Sequence, residues 1–116
     1  MDILRSNNEH KVCIGGAFIF SGRPDPTWEV EEVVLKKLKK IWNGLSEWAG
    51  ELPSAQLLGY RGCFIRCKSD LEWFAYGGVV TLKTVEGRES RMDKNRNIER
   101  LLLDSAPEGI LPKGIL

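Results

Sequence analysis

The feature that most restricts how this chain can fold is a rigid run near its start, Ser21-Gly22-Arg23-Pro24-Asp25-Pro26-Thr27-Trp28. Each proline fixes its own φ and pushes the preceding residue toward extended backbone, while Gly22 permits a turn. Because the run follows the apolar segment Val12 to Phe20, the chain must leave its first strand through a rigid loop. This loop presents the guanidinium of Arg23 and the ring of Trp28 in a preorganised arrangement that binding surfaces often use.

Length and composition predict one globular domain. A chain of 116 residues is near the commonest domain size and is long enough for one core. With 42% hydrophobic and 28% charged residues, the composition is neither that of a disordered chain nor that of a membrane protein. We therefore predict a single α+β domain over residues 1–116, with a flexible N-terminus over 1–9 and an apolar C-terminal tail over 107–116.

Charge and cysteine usage restrict the partners and the compartment. A net charge of +1 at pH 7 provides no overall field for nucleic acid or anionic lipid, so polyanion binding requires a local patch. Residues 1–9 are polar and lack the apolar segment of a signal peptide. Three cysteines, an odd number, fit reduced thiols better than a disulfide framework. We expect a cytoplasmic protein with free thiols and no membrane partner.

Hydrophobic periodicity predicts four strands and two helices. The strands are expected over 11–20, 60–67, 71–83 and 88–92. Apolar residues at three- and four-residue steps predict a long helix that stops at Gly50: Val30, Val34, Leu38, Ile41, Leu45 and Trp48. Its start is open, because the chain can become helical after Asp25 or stay extended until about Glu31. A short helix follows, capped by Asp93 or Asn97.

This order, β-α-β-β-β-α, predicts an α+β fold. One long and one short helix would pack on a single-layer, mostly antiparallel sheet of about four strands. The pair Gly15-Gly16 predicts a bulge or a close backbone approach in the first strand, and Gly77-Gly78 predicts a bulge or bend in the third. Whether the first strand is central or at an edge stays open.

A zinc site is suggested by residue type but not by geometry. Its potential ligands are His10, Cys13, Cys63 and Cys67. Strand spacing separates Cys63 from Cys67 by about 13 Å, whereas tetrahedral zinc holds its sulfurs within about 4 Å of each other. We therefore predict no metal and no cofactor, and we interpret the cysteines as small side chains of one sheet face. Because the only histidine lies in a polar terminal segment, Cys-His and Ser-His catalysis are not expected.

The predicted ligand or partner site combines two segments that each place an arginine near an aromatic ring, and its residues are Arg23, Trp28, Tyr60 and Arg61. Gly59 and Gly62 permit close backbone approach, so the segments meet if the first two predicted strands pair. Two guanidiniums and two rings would then line an anion-accepting pocket. The alternative is structural: Arg23 bonds loop carbonyls or Asp25, and Trp28 packs the helix on the sheet.

The segments Phe20 to Trp28 and Gly59 to Gly62 also carry a resemblance. They resemble the signature of a family of small uncharacterised proteins in which an SGRPxPxW loop is followed by GYRG. The two motifs cover a small part of the chain, and the family brings no activity with it. The resemblance therefore implies no reaction and no ligand. It only gives these two segments more weight as the candidate site.

Three functions compete for this sequence. We predict a small cytosolic binding or protein-interaction module, because no nucleophile, base or metal set is recognisable. The first alternative is an enzyme whose anionic substrate is clamped by Arg23 and Arg61. The second is single-stranded nucleic-acid binding through an aromatic and basic sheet face, although interspersed acidic residues make nucleic acid the less favoured partner. The aromatic members of that face are Tyr60, Trp73, Phe74 and Tyr76, with Arg66, Lys83, Arg88 and Arg91 among the basic ones.

The tail predicts self-association. It carries four large aliphatic side chains, Ile110, Leu111, Ile115 and Leu116. Pro112 and Gly114 prevent a helix from gathering them on one side, so they need a surface on their own chain or on a second copy. A homodimer is the predicted assembly.

Overall fold

The structure is a computed structural model that describes residues 13–20, 24–54, 59–68, 70–112 and 115, and these form a six-stranded sheet with two helices. The strands are β1 (Cys13–Ala17), β2 (Thr27–Val30), β3 (Cys63–Cys67), β4 (Leu71–Tyr76), β5 (Val79–Thr84) and β6 (Gly87–Met92). The helices are α1 (Glu32–Asn43) and α2 (Asn97–Asp104), with a short 3₁₀ turn over Lys94–Arg96 before α2. The strands lie in the order β2-β1-β3-β4-β5-β6, and every neighbouring pair is antiparallel. The α+β class is confirmed.

The prediction of about four strands is wrong, because two chain reversals divide the sheet further. After the rigid loop the chain stays extended and pairs with β1, with Trp28 opposite Gly15. In the third predicted strand, Gly77 and Gly78 have φ values of 63° and 89° and form a tight hairpin turn between β4 and β5. Both residues of such a turn need positive φ, which glycine adopts without strain. Since β2 reverses the chain, β1 and β3 are antiparallel and β1 lies inside the sheet.

The Gly15-Gly16 pair provides close approach without a bulge, since β1 keeps a continuous register with both neighbours. A Cβ on Gly15 would lie 2.8 Å from Nε1 of Trp28 on one side of the sheet. A Cβ on Gly16 would lie 2.3 Å from the Phe64 ring on the other. Each glycine therefore provides the space that a ring from a neighbouring strand occupies.

Helix α1 ends at Asn43, well before the predicted stop at Gly50. The next residues pair with the edge strand β6: the N–H of Trp48 donates to the Ser90 carbonyl (2.9 Å), and the Met92 N–H donates to the Ser46 carbonyl (2.8 Å). Because this segment satisfies part of the open edge of the sheet, it does not continue the helix.

The core lies between the helices and one face of the sheet. Its fully buried side chains include Leu38, Ile65, Val80, Ile98 and Leu102. Trp42 of α1 meets Trp73 of β4 edge to face, with ring centroids 5.2 Å apart. In the tail, Leu111 and Ile115 pack against this core, while Leu116 lies outside the described residues. Neither described helix is long and apolar enough to cross a membrane.

The prediction of free thiols is wrong for two of the three cysteines. Cys13 and Cys67 are bonded to each other, because they are direct partners in the β1–β3 register with Cα atoms 4.2 Å apart. Cys63 is a free, buried thiol. The odd cysteine count therefore reflects one disulfide and one core residue. No cluster of three potential metal ligands occurs within the described ranges, and His10 lies outside them.

Candidate functional site

The face of the sheet that neither described helix covers carries a groove, here called the open-face groove. Side chains alternate between the two faces of a strand, so the groove is lined mainly by alternate residues of β3 to β6. Its residues include Phe18, Leu52, Arg66, Phe74, Lys83 and Arg88. Two adjoining cavities of about 280 Å³ and about 380 Å³ share Glu72 and Lys83, and together they extend from Leu52 to Val85. The groove is thus long and shallow.

Phenyl rings form one side of the groove floor. Phe64 lies directly opposite Phe74 in the β3–β4 register. The ring of Phe18 lies 4.8 Å from that of Phe64 and 6.0 Å from that of Phe74, measured between centroids. Phe64 is buried beneath its neighbours, whereas Phe18 and Phe74 are only half-buried. The three residues are called the aromatic row. Phe18 and Phe74 offer ring surface to a ligand, whereas the Phe64 ring is covered by the Arg66 guanidinium, which lies 4.2 Å from its centroid.

Charged side chains form a parallel line on the same face. The register places Arg66 opposite Glu72, Glu72 opposite Lys83, and Lys83 opposite Arg88. Nε of Arg66 lies 2.8 Å from Oε2 of Glu72. Lys83 and Arg88 are exposed and have no ion-pair partner within the described part of the chain. This cationic row, Arg66 to Arg88, carries three positive charges and one negative charge.

Three of the four residues in the predicted site make their contacts within the protein. Trp28 is buried and donates from Nε1 to Oγ of Ser105 (2.9 Å). Tyr60 donates its hydroxyl to Oε2 of Glu99. Arg61 donates from Nη2 to the Phe20 carbonyl (2.9 Å), while its buried Nε has no hydrogen-bond partner among the described residues. Arg23 lies outside the described residues. The two segments meet as expected, but none of the three described side chains lines the open-face groove.

Side-chain hydrogen bonds hold the loop between β1 and β2. One oxygen of Asp25, Oδ1, accepts the backbone N–H groups of Ile19 and Phe20, both at 2.8 Å. Arg61 adds its bond to the Phe20 carbonyl. A single carboxylate oxygen that accepts two N–H groups closes the loop locally, much as an Asx turn does. The described part of the loop is therefore held by Asp25 and Arg61 as well as by its prolines.

A buried carboxylate anchors α2 to the sheet. Glu99 is 0% exposed. It accepts Nε and Nη2 of Arg96 at 2.9 Å and 3.1 Å, and it accepts the hydroxyl of Tyr60 at 2.5 Å. Arg96 reaches this position with a φ of 55°, a left-handed conformation that is unfavourable for a residue with a side chain. Because buried charge must be paired and hydrogen-bonded, this arrangement fixes how α2 docks.

Asp93 caps the same helix. Its Oδ1 accepts the N–H of Ile98 (2.9 Å), and its Oδ2 accepts the N–H of Glu99 (3.0 Å). These two amide groups belong to the first turn of α2, where they have no partner within the helix. Burial raises the pKa of Asp93 above its ordinary value. Of the two predicted caps, Asp93 and Asn97, it is Asp93 that accepts these amide groups, although its carboxylate reaches across the 3₁₀ turn and Arg96 occupies the N-cap position.

The titration of this cluster favours a structural role. Burial, followed by the proximity of Cys63 and the hydrogen bond to Glu99, raises the pKa of Tyr60 far above its ordinary value. Burial likewise raises the pKa of the Cys63 thiol. The bond to Glu99 raises the pKa of Arg96. At neutral pH the phenol and the thiol therefore keep their protons, and a buried protonated thiol packs rather than reacts.

Comparisons with known proteins add no assignment. The chain matches no protein family, no curated protein and no solved structure. The resemblance to the family with the SGRPxPxW loop and GYRG therefore stays a prediction.

The open-face groove is only partly visible in the sequence. Phe74 lies on the open face, but Trp73 belongs to the core and is 2% exposed, because neighbours on a strand point in opposite directions. Tyr76 lines neither cavity, and its ring lies beside that of Tyr60. Arg91 also turns to the helix side, where its guanidinium lies 4.3 Å from the Trp42 ring centroid. Sequence reasoning missed Phe18, although the alternation from Ile14 through Gly16 extends to it.

Proposed function

We propose that this protein is a binding module and that the open-face groove is its ligand surface. The observation that carries this proposal is that two half-buried rings, Phe18 and Phe74, and two exposed cations, Lys83 and Arg88, line one cavity on the same face. Small modules often bind through half-exposed rings that supply apolar contact and cations that supply orientation. The groove therefore suits an anionic ligand that also has flat, apolar groups.

Charge argues against a second copy of the chain as the occupant of this groove. Two copies packed face to face would bring Lys83 and Arg88 near the same cations of the partner, and like charges at an interface are costly. A homodimer stays a prediction for other surfaces. The C-terminal tail supports a homodimer less than the sequence suggested, because Leu111 and Ile115 already pack against the core of their own chain.

Binding is preferred to catalysis for reasons of geometry. The enzyme hypothesis needs Arg61 as a clamp, yet the described guanidinium faces a loop carbonyl of its own chain. The contribution of Arg23 to a partner surface remains a prediction. A cytoplasmic location is likewise proposed on composition alone, because the disulfide removes the argument from free thiols.

A fluorescent dye that combines fused rings with a sulfonate, anilinonaphthalene sulfonate, tests the proposal directly. We expect the native protein to bind it, and Lys83→Glu to weaken binding about fivefold, because reversing one exposed charge changes its contribution by about 1 kcal/mol. The matched control is Lys36→Glu, which makes the same change on the exposed side of α1. Absence of dye binding by native protein, or equal effects of the two variants, would overturn the proposal.

A further inference from the structure

We infer that the ligand of the open-face groove is single-stranded nucleic acid, with its phosphates on the cationic row and its bases on the aromatic row. This inference rests on the proposed function and names the class of ligand. It follows from the way one cavity combines half-buried rings with exposed cations.

The groove brings rings and cations together in one cavity. Phe18 and Phe74 line it together with Lys83 and Arg88. Thr81 lies opposite Phe74, and Lys83 follows two residues later on the same face, about 7 Å further along the strand. A nucleotide places its phosphate and its base on opposite sides of one sugar, so a single strand can set its bases on the two rings and its phosphates on the two cations.

The length of the cationic row favours a polymer. From Arg66 on β3 to Arg88 on β6 the row crosses three strand-to-strand spacings, or about 14 Å. A shallow groove cannot enclose most of a small ligand, which is what small-molecule sites usually do. An extended chain instead gains affinity from repeated contacts along an open surface.

Other polyanions fit less well. A duplex keeps its base faces stacked, so its bases cannot lie on Phe18 and Phe74. An acidic peptide supplies carboxylates but few flat ring faces, and it would leave the half-buried phenyl rings without a stacking partner. Base-on-ring stacking is independent of sequence because every base has a π-face. We therefore expect binding with little sequence preference.

Glu72 provides a test in which affinity increases. Its carboxylate lies between Arg66 and Lys83 and holds Nε of Arg66. It therefore repels a phosphate at the centre of the cationic row. Replacing Glu72 by Gln removes this negative charge and frees the Arg66 guanidinium to contact a phosphate, so affinity should rise. If Glu72 had only a structural role, its replacement would not strengthen binding.

The experiment measures binding of a short fluorescein-labelled oligothymidylate by anisotropy across a salt series. Three phosphate contacts predict a slope of log affinity against log salt of about −2 for a single strand. Lys83→Gln and Arg88→Gln should each reduce the slope by about 0.7. Phe74→Leu should weaken binding about fivefold or more, Glu72→Gln should strengthen it about threefold, and Lys36→Gln should leave it unchanged.

The outcomes separate this inference from the proposed function. The nucleic-acid inference is overturned if the oligonucleotide fails to bind while the dye binds through Lys83. It is also overturned if a poly-glutamate peptide displaces the dye and the oligonucleotide does not. In both cases the proposal that the groove is a binding surface stands. If a duplex of the same length binds as tightly as the single strand, base stacking is refuted. Loss of both dye and oligonucleotide binding removes both proposals.

Discussion

The hydroxyl of Tyr60 should stabilise the fold measurably, and Tyr60→Phe tests this. The hydroxyl donates to Glu99, which is fully buried and forms an ion pair with Arg96. A hydrogen bond to a charged group contributes about 1.5–3 kcal/mol. After the substitution Glu99 keeps both bonds from Arg96, so it is not left unpaired. We therefore expect a loss in the free energy of unfolding near the lower end, about 1.5–2 kcal/mol.

Tyr76→Phe is the matched control for that change. The Tyr76 ring lies 5.8 Å from that of Tyr60, between centroids. Its hydroxyl makes no hydrogen bond to any other described residue, so removing it should cost less than about 0.5 kcal/mol. Urea denaturation of the three proteins, with equal slopes against denaturant, gives both differences. Equal losses in the two variants would refute the assignment of the cost to the Tyr60–Glu99 bond.

The pH dependence of the same pair carries a second readout. The unfolded phenol titrates near pH 10.0, and burial raises the folded pKa above that value. The folded state therefore holds the proton more tightly. The stability that the protonated phenol contributes is complete below the unfolded pKa and is lost as the pH rises above it. Between pH 10 and pH 11, the free energy of unfolding of the wild type should fall by about 1 kcal/mol relative to that of Tyr60→Phe. A constant difference across this range would contradict the buried phenol.

Three further predictions concern the framework around the groove. The Cys13–Cys67 disulfide closes a loop of sequence separation 54, so its removal by Cys13→Ser with Cys67→Ser should cost about 4 kcal/mol by the chain-entropy model. Thiol titration of the unfolded, unreduced chain should find Cys63 alone, and three reactive thiols would show that the bond is absent. Trp28→Ala should cost about 3 kcal/mol or more in chemical denaturation, since the ring is buried, and a loss below about 1 kcal/mol would indicate an exposed ring. Asp25→Ala, which leaves two backbone N–H groups without their acceptor, should cost about 1–3 kcal/mol, and an unchanged urea midpoint would contradict its role in the loop.

The sequence predicted the layers of this fold better than its strand count, and the reason is local. Periodicity identifies segments that can bury a face, so the short helix and most strands were expected in the right places, whereas the long helix was expected to continue to Gly50 and ends at Asn43. It does not distinguish a bend from a reversal at Gly77-Gly78, because glycine permits both and only the pairing of β4 with β5 decides. The same holds after Pro26, where extended backbone became β2 because β1 offered an edge to pair with.

The candidate site was harder to predict for a different reason. The rigid loop and the Tyr60-Arg61 segment have the composition of a binding surface, but Trp28 lies against Ser105 and Arg61 bonds a loop carbonyl. Composition indicates which side chains can bind, whereas the fold determines which of them remain accessible. Phe18 joined the groove through tertiary placement, since it lies beyond the end of β1 and meets the rings of β3 and β4 only after the sheet has formed.

If the open-face groove is the binding surface, titration with oligothymidylate should move the amide chemical shifts of its residues in NMR spectra. The largest shifts are expected at Phe74, Thr81 and Lys83, with Lys36 and Lys39 on the exposed side of α1 unchanged. Shifts concentrated on α1, or an oligonucleotide that leaves the spectrum unchanged, would contradict this role of the groove.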